Sequence, residues 1–251
     1  MTTFDATRTA AIVTGHSRGL GEAIATHLLT RGVRVLGVSR RRNEDLVRQF
    51  GALLREVTLD LSDDAALTRW LESAALEEFA GELEMALLVN NAGVLEPMGA
   101  PQLQDVKLVP RAVAVNVGAV LMLTAAFARV TSTAAERRVL QVSSGAGRNA
   151  RAGWSVYCST KAAVDHHARC VALDAPPRFR ISSVAPGVID TEMQAEIRAT
   201  TDERFPNRPR FVKLHRDKEL PSPAKVGGRL VDYLLSDGFG AEPVFDLENF
   251  R

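Results

Sequence analysis

The chain has 251 residues, 46% of them hydrophobic, which is enough for one large α/β domain or two small ones with a substantial core. A formal net charge of only +1 gives no sign of nucleic acid as a partner. We expect no membrane span, because no apolar run approaches the required length, and no secretory signal, because the first nine residues lack an apolar segment. The five histidines show no metal-ligand spacing, and the two cysteines lie on one predicted helix. We therefore expect no metal site and no disulfide framework, and we expect a cytoplasmic protein.

Seven short apolar segments alternate along the chain with segments of helical periodicity. The predicted strands are residues 9–13, 33–38, 55–59, 85–89, 138–142, 180–184 and 243–247. The predicted helices are one that begins near residue 20 and those at 64–79, 103–130, 153–173 and 223–235. This alternation predicts a single α/β domain over residues 1–251, with a doubly wound parallel sheet flanked by helices on both faces.

The first predicted strand leads into a glycine-rich stretch, TGHSRGLG at residues 14–21, and then into a helix. In this setting glycines let the backbone approach a pyrophosphate, and the helix N-terminus supplies positive partial charge. The spacing is G-x-x-x-G-x-G, which differs from the G-x-G-x-x-G of typical dinucleotide dehydrogenases. The stretch therefore predicts a dinucleotide-binding loop on the strength of its strand–turn–helix context.

The second predicted strand ends at Val38, and Ser39, Arg40, Arg41 and Arg42 follow directly. A carboxylate at this position favours NAD by binding the ribose 2′-hydroxyl, whereas an arginine accommodates the 2′-phosphate of NADP. No carboxylate occupies the strand end, and Arg18 could supply a further cation. We therefore expect NADP(H) to be preferred, with NAD(H) possible; the alternative is a solvated basic loop.

Polar residues also follow the next two predicted strands. Asp60 could bind adenine or help to cap the helix that begins near Asp63. The stretch NNAG at residues 90–93 could let a backbone pass close to a cofactor, or could be a simple turn. Asn116 interrupts the apolar helix at 103–130, and a buried amide must find hydrogen-bond partners, so it is either a core asparagine or a site residue.

Tyr157 and Lys161 are spaced i,i+4 on a predicted helix, which places both side chains on one face. A tyrosine titrates near ~10 when unperturbed, and a nearby cation lowers that pKa, which makes the phenol usable for proton transfer. Ser143 and Ser144 end the preceding strand, where a hydroxyl can point into a cleft. Alone, a tyrosine and a lysine at this spacing would be an ordinary surface pair.

The helical and strand patterns weaken between residues 191 and 221, where Met193, Ile197, Phe205 and Phe211 stand among charges and prolines. A long irregular insert after a strand is typically a functional lid or a disordered segment. We predict a substrate lid at about 191–221.

These motifs, in this order, resemble the short-chain dehydrogenase/reductase family, which implies a Rossmann-type fold. The resemblance rests on TGHSRGLG, NNAG, Asn116 within VNVGA, Ser144, the YCSTK stretch at 157–161, and the Pro186–Gly187 pair. The stretches GLGEAIA, SRR, SSGAGRNARAGWSVYCSTKA and PGVIDTEMQAEIR are more similar still to the benzil reductase and sepiapterin reductase branch.

The resemblance implies a role for each matching residue. Tyr157 would be the catalytic acid–base, and Lys161 would lower its pKa and bind the nicotinamide ribose. Ser144 would stabilise charge on the substrate oxygen, and Asn116 would hold a water that links Lys161 to solvent. The implied cofactor contacts are Gly15, Ser17, Arg18, Gly19, Leu20 and Gly21 for pyrophosphate and adenosine; Arg40 and Arg41 for the 2′-phosphate; Asp60 and Leu61 for adenine; Asn91, Ala92 and Gly93 for ribose; and Pro186, Gly187, Val188 and Thr191, with Tyr157 and Lys161, for the nicotinamide end.

Two features bear on the substrate. The carboxylate with which sepiapterin reductases hold the pterin aligns at or beside Pro243, with Glu242 and Asp246 nearby but not matching, which disfavours a pterin. Trp154 could wall the pocket together with Leu95, Met98 and Met193, which favours an apolar or aromatic ketone or diketone; ordinary core packing of Trp154 is the equal alternative.

The main hypothesis is an NADPH-dependent carbonyl reductase acting on a small molecule. The alternatives are an NAD(P)-dependent alcohol dehydrogenase that works oxidatively and a non-catalytic dinucleotide sensor. The sensor is disfavoured, since it would not need the acid–base residues. The resemblance to the family implies a homodimer or homotetramer formed through the helices around Asn116 and Tyr157. We expect no nucleic acid or membrane partner.

Overall fold

The computed structural model describes residues 4–80 and 83–250. Its seven strands form one parallel sheet in the order β3-β2-β1-β4-β5-β6-β7. Their bounds are β1 Thr9–Thr14, β2 Arg34–Ser39, β3 Leu54–Thr58, β4 Met85–Asn90, β5 Glu136–Val142, β6 Phe179–Ala185 and β7 Val244–Asp246. All seven predicted strands are present. Strands β1, β2, β4, β5 and β6 are buried over almost their whole length, as expected of strands covered on both faces, and the edge strands β3 and β7 are only partly buried. The predicted doubly wound α/β fold is confirmed.

Ten α-helices cover the two faces of the sheet in the described part of the chain. They are α1 Gly19–Thr30, α2 Glu44–Phe50, α3 Asp64–Leu71, α4 Ala74–Ala80, α5 Val109–Val113, α6 Ala119–Val130, α7 Ser155–Asp174, α8 Glu192–Ala199, α9 Arg208–Arg216 and α10 Pro223–Leu235. Ala11 and Val13 of β1 contribute to the core shared with α1, α2 and α10. Ala10 and Ile12 contribute to the core on the opposite face, shared with α3, α4, α6 and α7.

Three helix predictions were wrong in detail. Helix α2 was missed because it is seven residues long and buries only Leu46, which is too little for a periodic apolar face. The predicted helix at 64–79 is interrupted at Glu72 and Ser73 and forms α3 and α4. The predicted helix at 103–130 begins only at Val109, with Pro110 in its first turn, and contains a π-helical turn at Ala114–Gly118.

The segment 191–221 is not irregular, because it contains α8 and α9. Both helices are short and largely polar, so their sequence pattern is weak. Ile197 of α8 and Phe211 of α9 are buried in a third hydrophobic cluster with Phe205 and Trp154. Packing against the rest of the protein, and not local periodicity, therefore holds these helices in place.

The expectation that no apolar run is long enough for a membrane span was also wrong. Val109–Val130 spans 22 residues with a mean hydropathy of 1.8, which is enough by length and composition. In this fold the run is α5, the π-helical turn and α6, and it packs on α3, α4, α7 and the sheet. Asn116, Leu123 and Phe127 are buried there, so the apolar character of this run serves the core of the fold.

Candidate active site

A cavity with a volume of about 930 Å³ lies at the carboxyl ends of the strands. The sheet order reverses direction between β1 and β4, and such a switch point is where open parallel sheets bind ligands. The residues that line the cavity come from the loops after β1, β2, β3, β4, β5 and β6 and from α7 and α8. Every residue predicted to bind cofactor or to catalyse lines this cavity except Asn116.

The glycine-rich loop has the geometry of a phosphate cradle. Gly15 has a φ of +69° and Gly19 a φ of +60°, in the left-handed region that favours glycine. A Cβ on Gly21 would overlap the carbonyl oxygen of Gly15 and the side-chain amide of Asn91. That amide donates to the carbonyl oxygen of Thr14 at 2.9 Å. The close packing brings the N-terminus of α1 to the cavity, so this end of the site fits a dinucleotide pyrophosphate.

The arginines after β2 have different surroundings. Arg40 and Arg41 are exposed and line the cavity. The Nε of Arg42 instead donates to Glu56 Oε2 at 3.0 Å, and Arg42 does not line the cavity. Arg18 lines the cavity but is ion-paired with Glu192 of α8. Only Arg40 and Arg41 therefore present unpaired guanidinium groups at this point of the described chain.

Asp60 and Leu61 also line the cavity. Asp60 Oδ1 accepts hydrogen bonds from the amide nitrogen of Ser62 at 2.9 Å and from its hydroxyl at 2.7 Å. Burial raises the pKa of Asp60, but these bonds together with Arg40 and Arg111 outweigh it, and the pKa is lowered. Asp63, and not Asp60, caps α3 by accepting from the amide nitrogen of Ala66. Asp60 is thus available as an acceptor at the cavity.

Asn116 lies in the π-helical turn and is 1% exposed. Its Oδ1 accepts from the amide nitrogen of Val94 at 2.8 Å, and its Nδ2 donates to the carbonyl oxygen of Val94 at 2.8 Å and to Thr160 Oγ1 at 3.1 Å. The side chain therefore fixes the segment after β4 against α7, next to Lys161. A Cβ on Gly93 would lie 3.4 Å from Asn116 Oδ1 and 3.6 Å from Lys161 Nζ. The water-holding role implied by the resemblance stays a prediction.

The structure brings Ser144, Tyr157 and Lys161 together. Ser144 follows β5 in an extended conformation, and its hydroxyl accepts from the amide nitrogen of Ala146 at 3.1 Å. The Ser144 side chain is close enough to Tyr157 to lower the pKa of the phenol. Lys161 Nζ donates to the carbonyl oxygen of Val142 at 2.8 Å and lies 5.7 Å from the centre of the Tyr157 ring. Ser143 is 3% exposed, and its hydroxyl is buried without a partner in the described chain.

The expected lowering of the Tyr157 pKa by Lys161 is not found. Burial raises the pKa of Tyr157 to about 12, and the neighbouring Ser144 side chain only partly opposes this shift. Burial lowers the pKa of Lys161 to about 8, although the carboxylate of Asp165, one helical turn away, acts to raise it. Desolvation disfavours both charged forms and dominates here, because the lysine nitrogen is directed at Val142 and not at the phenol. The phenol is therefore a protonated acid at neutral pH.

The remaining part of the cavity has a mixed lining, in which an apolar wall stands among charged residues. Leu95, Trp154 and Met193 line it as expected, but Met98 does not and is buried in the adjacent hydrophobic cluster. Trp154 combines both of its predicted roles, since it lines the cavity and its ring also stacks on Phe205 at 4.4 Å. Lining residues that the sequence did not reveal include Glu96, Arg111, Val115, Asn149, Arg151, Gln194, Glu196, Arg210, Arg229 and Glu248, which had no local sequence signal. Ile197 and Phe211, which stand among charges in 191–221, also line the cavity.

Of the two carboxylates near Pro243, Glu242 and Asp246, only Asp246 of β7 lines the cavity. It forms an ion pair with Arg148, whose Nε also donates to Asp165 Oδ2 at 3.2 Å. Ser183 donates to the other oxygen of Asp165 at 2.7 Å. This network ties β6 and β7 to α7, so Asp246 is committed to Arg148.

A family model described as short chain dehydrogenase matches residues 9–202 of the chain. The chain belongs to the short-chain dehydrogenase/reductase family. Members of this family are oxidoreductases that act on CH–OH and C=O groups with NAD(P) as cofactor, and the match includes the glycine-rich loop, Ser144, Tyr157 and Lys161.

Several relatives of this short-chain dehydrogenase/reductase are similar over most of its length. It is 36% identical over 235 residues to a benzil reductase ((S)-benzoin forming) of Bacillus cereus, with 91% of this chain and 94% of the relative covered. It is 30% identical over 243 residues to a sepiapterin reductase of Meriones unguiculatus, with 91% and 92% covered. A crystal structure of a short-chain dehydrogenase/reductase from Burkholderia vietnamiensis shares 48% identity with a TM-score of 0.71, with 98% and 100% covered. The predicted branch is confirmed.

Proposed function

We propose that the protein is an NADPH-dependent reductase of small apolar or aromatic ketones and diketones. The observation that supports this most is that Tyr157 and Ser144 stand together at the wall of the cavity that Arg40 and Arg41 also line. The name of the Bacillus cereus relative, benzil reductase, supports an aryl diketone as substrate class.

In the proposed reaction the side chains supply a proton and a fixed geometry. NADPH, when bound, supplies the hydride. Tyr157 donates its phenolic proton to the carbonyl oxygen of the substrate, while the Ser144 hydroxyl hydrogen-bonds the same oxygen as negative charge develops there. Because burial keeps the phenol protonated at neutral pH, the phenol holds the proton that reduction requires. The ammonium of Lys161 stabilises the phenolate that remains.

The cofactor preference rests on the turn after β2. Arg40 and Arg41 would bind the 2′-phosphate, because arginine binds phosphate through charge-assisted hydrogen bonds and no carboxylate stands at the strand end. The glycine-rich loop would bind the pyrophosphate common to NADPH and NADH. The two cofactors should therefore differ only in their contacts with this turn.

The substrate class follows from the apolar walls. Trp154, Leu95 and Met193, together with Phe211, surround the space beside Tyr157. Flat aromatic substrates fit between such walls better than charged ones do. A pterin is disfavoured because Arg148 already binds the carboxylate of Asp246. We propose that residues 191–221 act as the substrate lid of a single domain.

We also propose a cytoplasmic homo-oligomer. An apolar groove runs between α5 and α7, lined by Val109, Val113, Val117, Val156 and Ala163 among others. Val113 is 46% exposed there, which is a large exposure for an apolar side chain. Light scattering after size exclusion would give a mass of two or four chains if a second copy covers this groove, and of one chain if none does.

The proposed function is tested by following absorbance at the reduced-nicotinamide band with NADPH and NADH in parallel. The substrates are benzil, other aryl diketones, aryl ketones, quinones and sepiapterin. We expect rapid turnover of a diketone with NADPH and slower turnover with NADH. Tight NADPH binding without turnover of any carbonyl would favour the sensor, and turnover confined to alcohols would favour the oxidative enzyme.

A further inference from the structure

One residue of the glycine-rich loop faces away from the cavity. His16 lies between Gly15 and Ser17, which both line the cavity, but its own side chain is 0% exposed and does not. Its Nε2 lies 2.7 Å from Glu56 Oε1 on β3, whose side chain is 3% exposed. The imidazole and the carboxylate thus form a buried pair between residues 40 positions apart, and β2 lies between their strands.

Gly37 of β2 makes this contact possible. It is the register partner of Glu56, and a Cβ on Gly37 would lie 2.5 Å from the imidazole ring of His16. Any side chain at this position would therefore displace the ring. Because Gly37 has no side chain, the ring of His16 can cross β2 and reach the carboxylate of Glu56.

Glu56 holds the turn that follows β2. Its Oε1 accepts from the backbone nitrogen of Asn43 at 2.7 Å as well as from His16, and its Oε2 accepts from the Nε of Arg42 at 3.0 Å. Burial raises the pKa of Glu56, but these bonds outweigh it and the pKa is lowered, so the group stays a carboxylate. His16 therefore carries its hydrogen on Nε2 and donates it.

Asn43 connects this turn to the glycine-rich loop. Its Oδ1 accepts from the amide nitrogen of Leu46 at 3.0 Å and caps α2, and its Nδ2 donates to the carbonyl oxygen of Ser17 at 3.2 Å and to Glu22 Oε1 at 3.0 Å. The hydroxyl of Ser39 donates to the carbonyl oxygen of Arg41 at the start of the same turn. The backbone from residue 39 to 43 is therefore held at both ends, with Arg42 withdrawn and Arg40 and Arg41 at the cavity.

We propose that His16 and Glu56 are a buried positioning pair that fixes the turn carrying Arg40 and Arg41, and that this pair sets the preference for a dinucleotide with a 2′-phosphate. The inference rests on the proposed function, in which Arg40 and Arg41 bind that phosphate. A backbone held in its binding conformation loses less entropy when the ligand binds. NADH has no group for these arginines, so its affinity should depend little on the pair.

Two substitutions displace the imidazole contact without changing the charge of Glu56. His16→Phe keeps a ring but removes the donor, and Gly37→Ala keeps His16 but occupies the space of its ring. We expect each to raise the Kd for NADPH about tenfold, with a change of less than about twofold in the Kd for NADH and in kcat at saturating NADPH. His16→Gln can still donate to Glu56 and should restore most of the NADPH affinity.

The matched control is Gly228→Ala in α10. A Cβ there would lie 3.1 Å from the ring of His27, so it disturbs a glycine–histidine contact of the same kind outside the cavity. The affinities of the Gly228→Ala variant for NADPH and NADH should match those of the unsubstituted protein. Thermal unfolding of each variant checks that the fold is retained, and if His16→Phe does not fold, Gly37→Ala tests the same contact.

Equal losses of NADPH and NADH affinity would overturn the inference, because the pair would then only support the glycine-rich loop. Unchanged affinities for both cofactors would also overturn it, since the pair would then be ordinary core packing. A preference of the unsubstituted protein for NADH would overturn the cofactor assignment itself. That last result comes from the unsubstituted protein alone, so failure of the proposed function is distinguishable from failure of the inference.

Discussion

The ammonium nitrogen of Lys161 donates its hydrogen bond to the carbonyl oxygen of Val142 at 2.8 Å, at the end of β5, and not to Tyr157. Lys161 thus ties α7 to the strand that delivers Ser144. Its nitrogen lies 5.7 Å from the centre of the Tyr157 ring, close enough to stabilise a phenolate that forms during the reaction. The lysine acts on the phenol through charge at a distance.

Tyr157→Phe should lower kcat for carbonyl reduction about 10²–10⁴-fold, the range for loss of a general acid. The Kd for NADPH should change by less than about threefold, because the ring remains and only the hydroxyl is removed. Steady-state kinetics and fluorescence titration measure these two quantities. Tyr233→Phe is the matched control, since Tyr233 is 3% exposed and its hydroxyl contacts Ser182 outside the cavity. Turnover of Tyr157→Phe near that of the control would refute the proposed mechanism.

The pH dependence of kcat/KM should report Lys161. Burial lowers the pKa of this group to about 8, so the ammonium form is present below that pH and lost above it. Tyr157, whose pKa is raised to about 12, stays protonated throughout this range. We therefore expect kcat/KM for reduction to fall as the pH rises through about 8.

Asp165→Asn tests the assignment of this pH dependence. The carboxylate of Asp165 raises the pKa of Lys161 against burial, so its removal should move the decline in kcat/KM to lower pH. Asp232→Asn, at an exposed carboxylate paired with Arg31, is the control and should leave the profile in place. A decline at the same or higher pH in Asp165→Asn would mean that another group titrates.

Arg40→Ala should raise the Kd for NADPH about tenfold or more, because it removes a charge-assisted contact to the 2′-phosphate. The Kd for NADH should change by less than about twofold. Fluorescence titration of both cofactors gives the comparison. Arg48→Ala, at an exposed arginine of α2 that pairs with Asp45, controls for loss of one positive charge nearby. Equal losses for both cofactors would show that Arg40 does not distinguish them.

Trp154→Ala should release the segment 191–221. The ring of Trp154 stacks on Phe205 at 4.4 Å, with 3° between the ring planes, and lies 5.7 Å from Phe211. Its removal should lower the free energy of unfolding by about 3–5 kcal/mol and should speed proteolytic cleavage within 191–221 more than elsewhere. Trp154→Phe should keep most of the stacking on Phe205, so its segment 191–221 should be cleaved more slowly than that of Trp154→Ala. Cleavage spread evenly over the chain would mean that Trp154 supports the core and not this segment.

The positions of the strands and the order of the motifs were predictable because both are local in sequence. Strands β1, β2 and β4 are almost continuous apolar runs buried on both faces, and the other four strands contain shorter apolar stretches between helical segments, so all seven strands were found. The motifs at 14–21, 90–93 and 157–161 follow strands β1 and β4 or begin a helix, and parallel topology brings strand ends to one edge of the sheet. The sequence by itself therefore determined the fold, the family and the location of the site.

The tertiary structure decided what depends on contacts between distant residues. His16 meets Glu56 across Gly37, and Trp154 meets Phe205, through packing that no local pattern encodes. The withdrawal of Arg42 from the cavity and the helices of 191–221 follow from those contacts. The pKa of Tyr157 was wrongly expected to be lowered, since the spacing to Lys161 gives proximity but not burial. Desolvation depends on everything that surrounds a group, and only the folded chain brings those surroundings together.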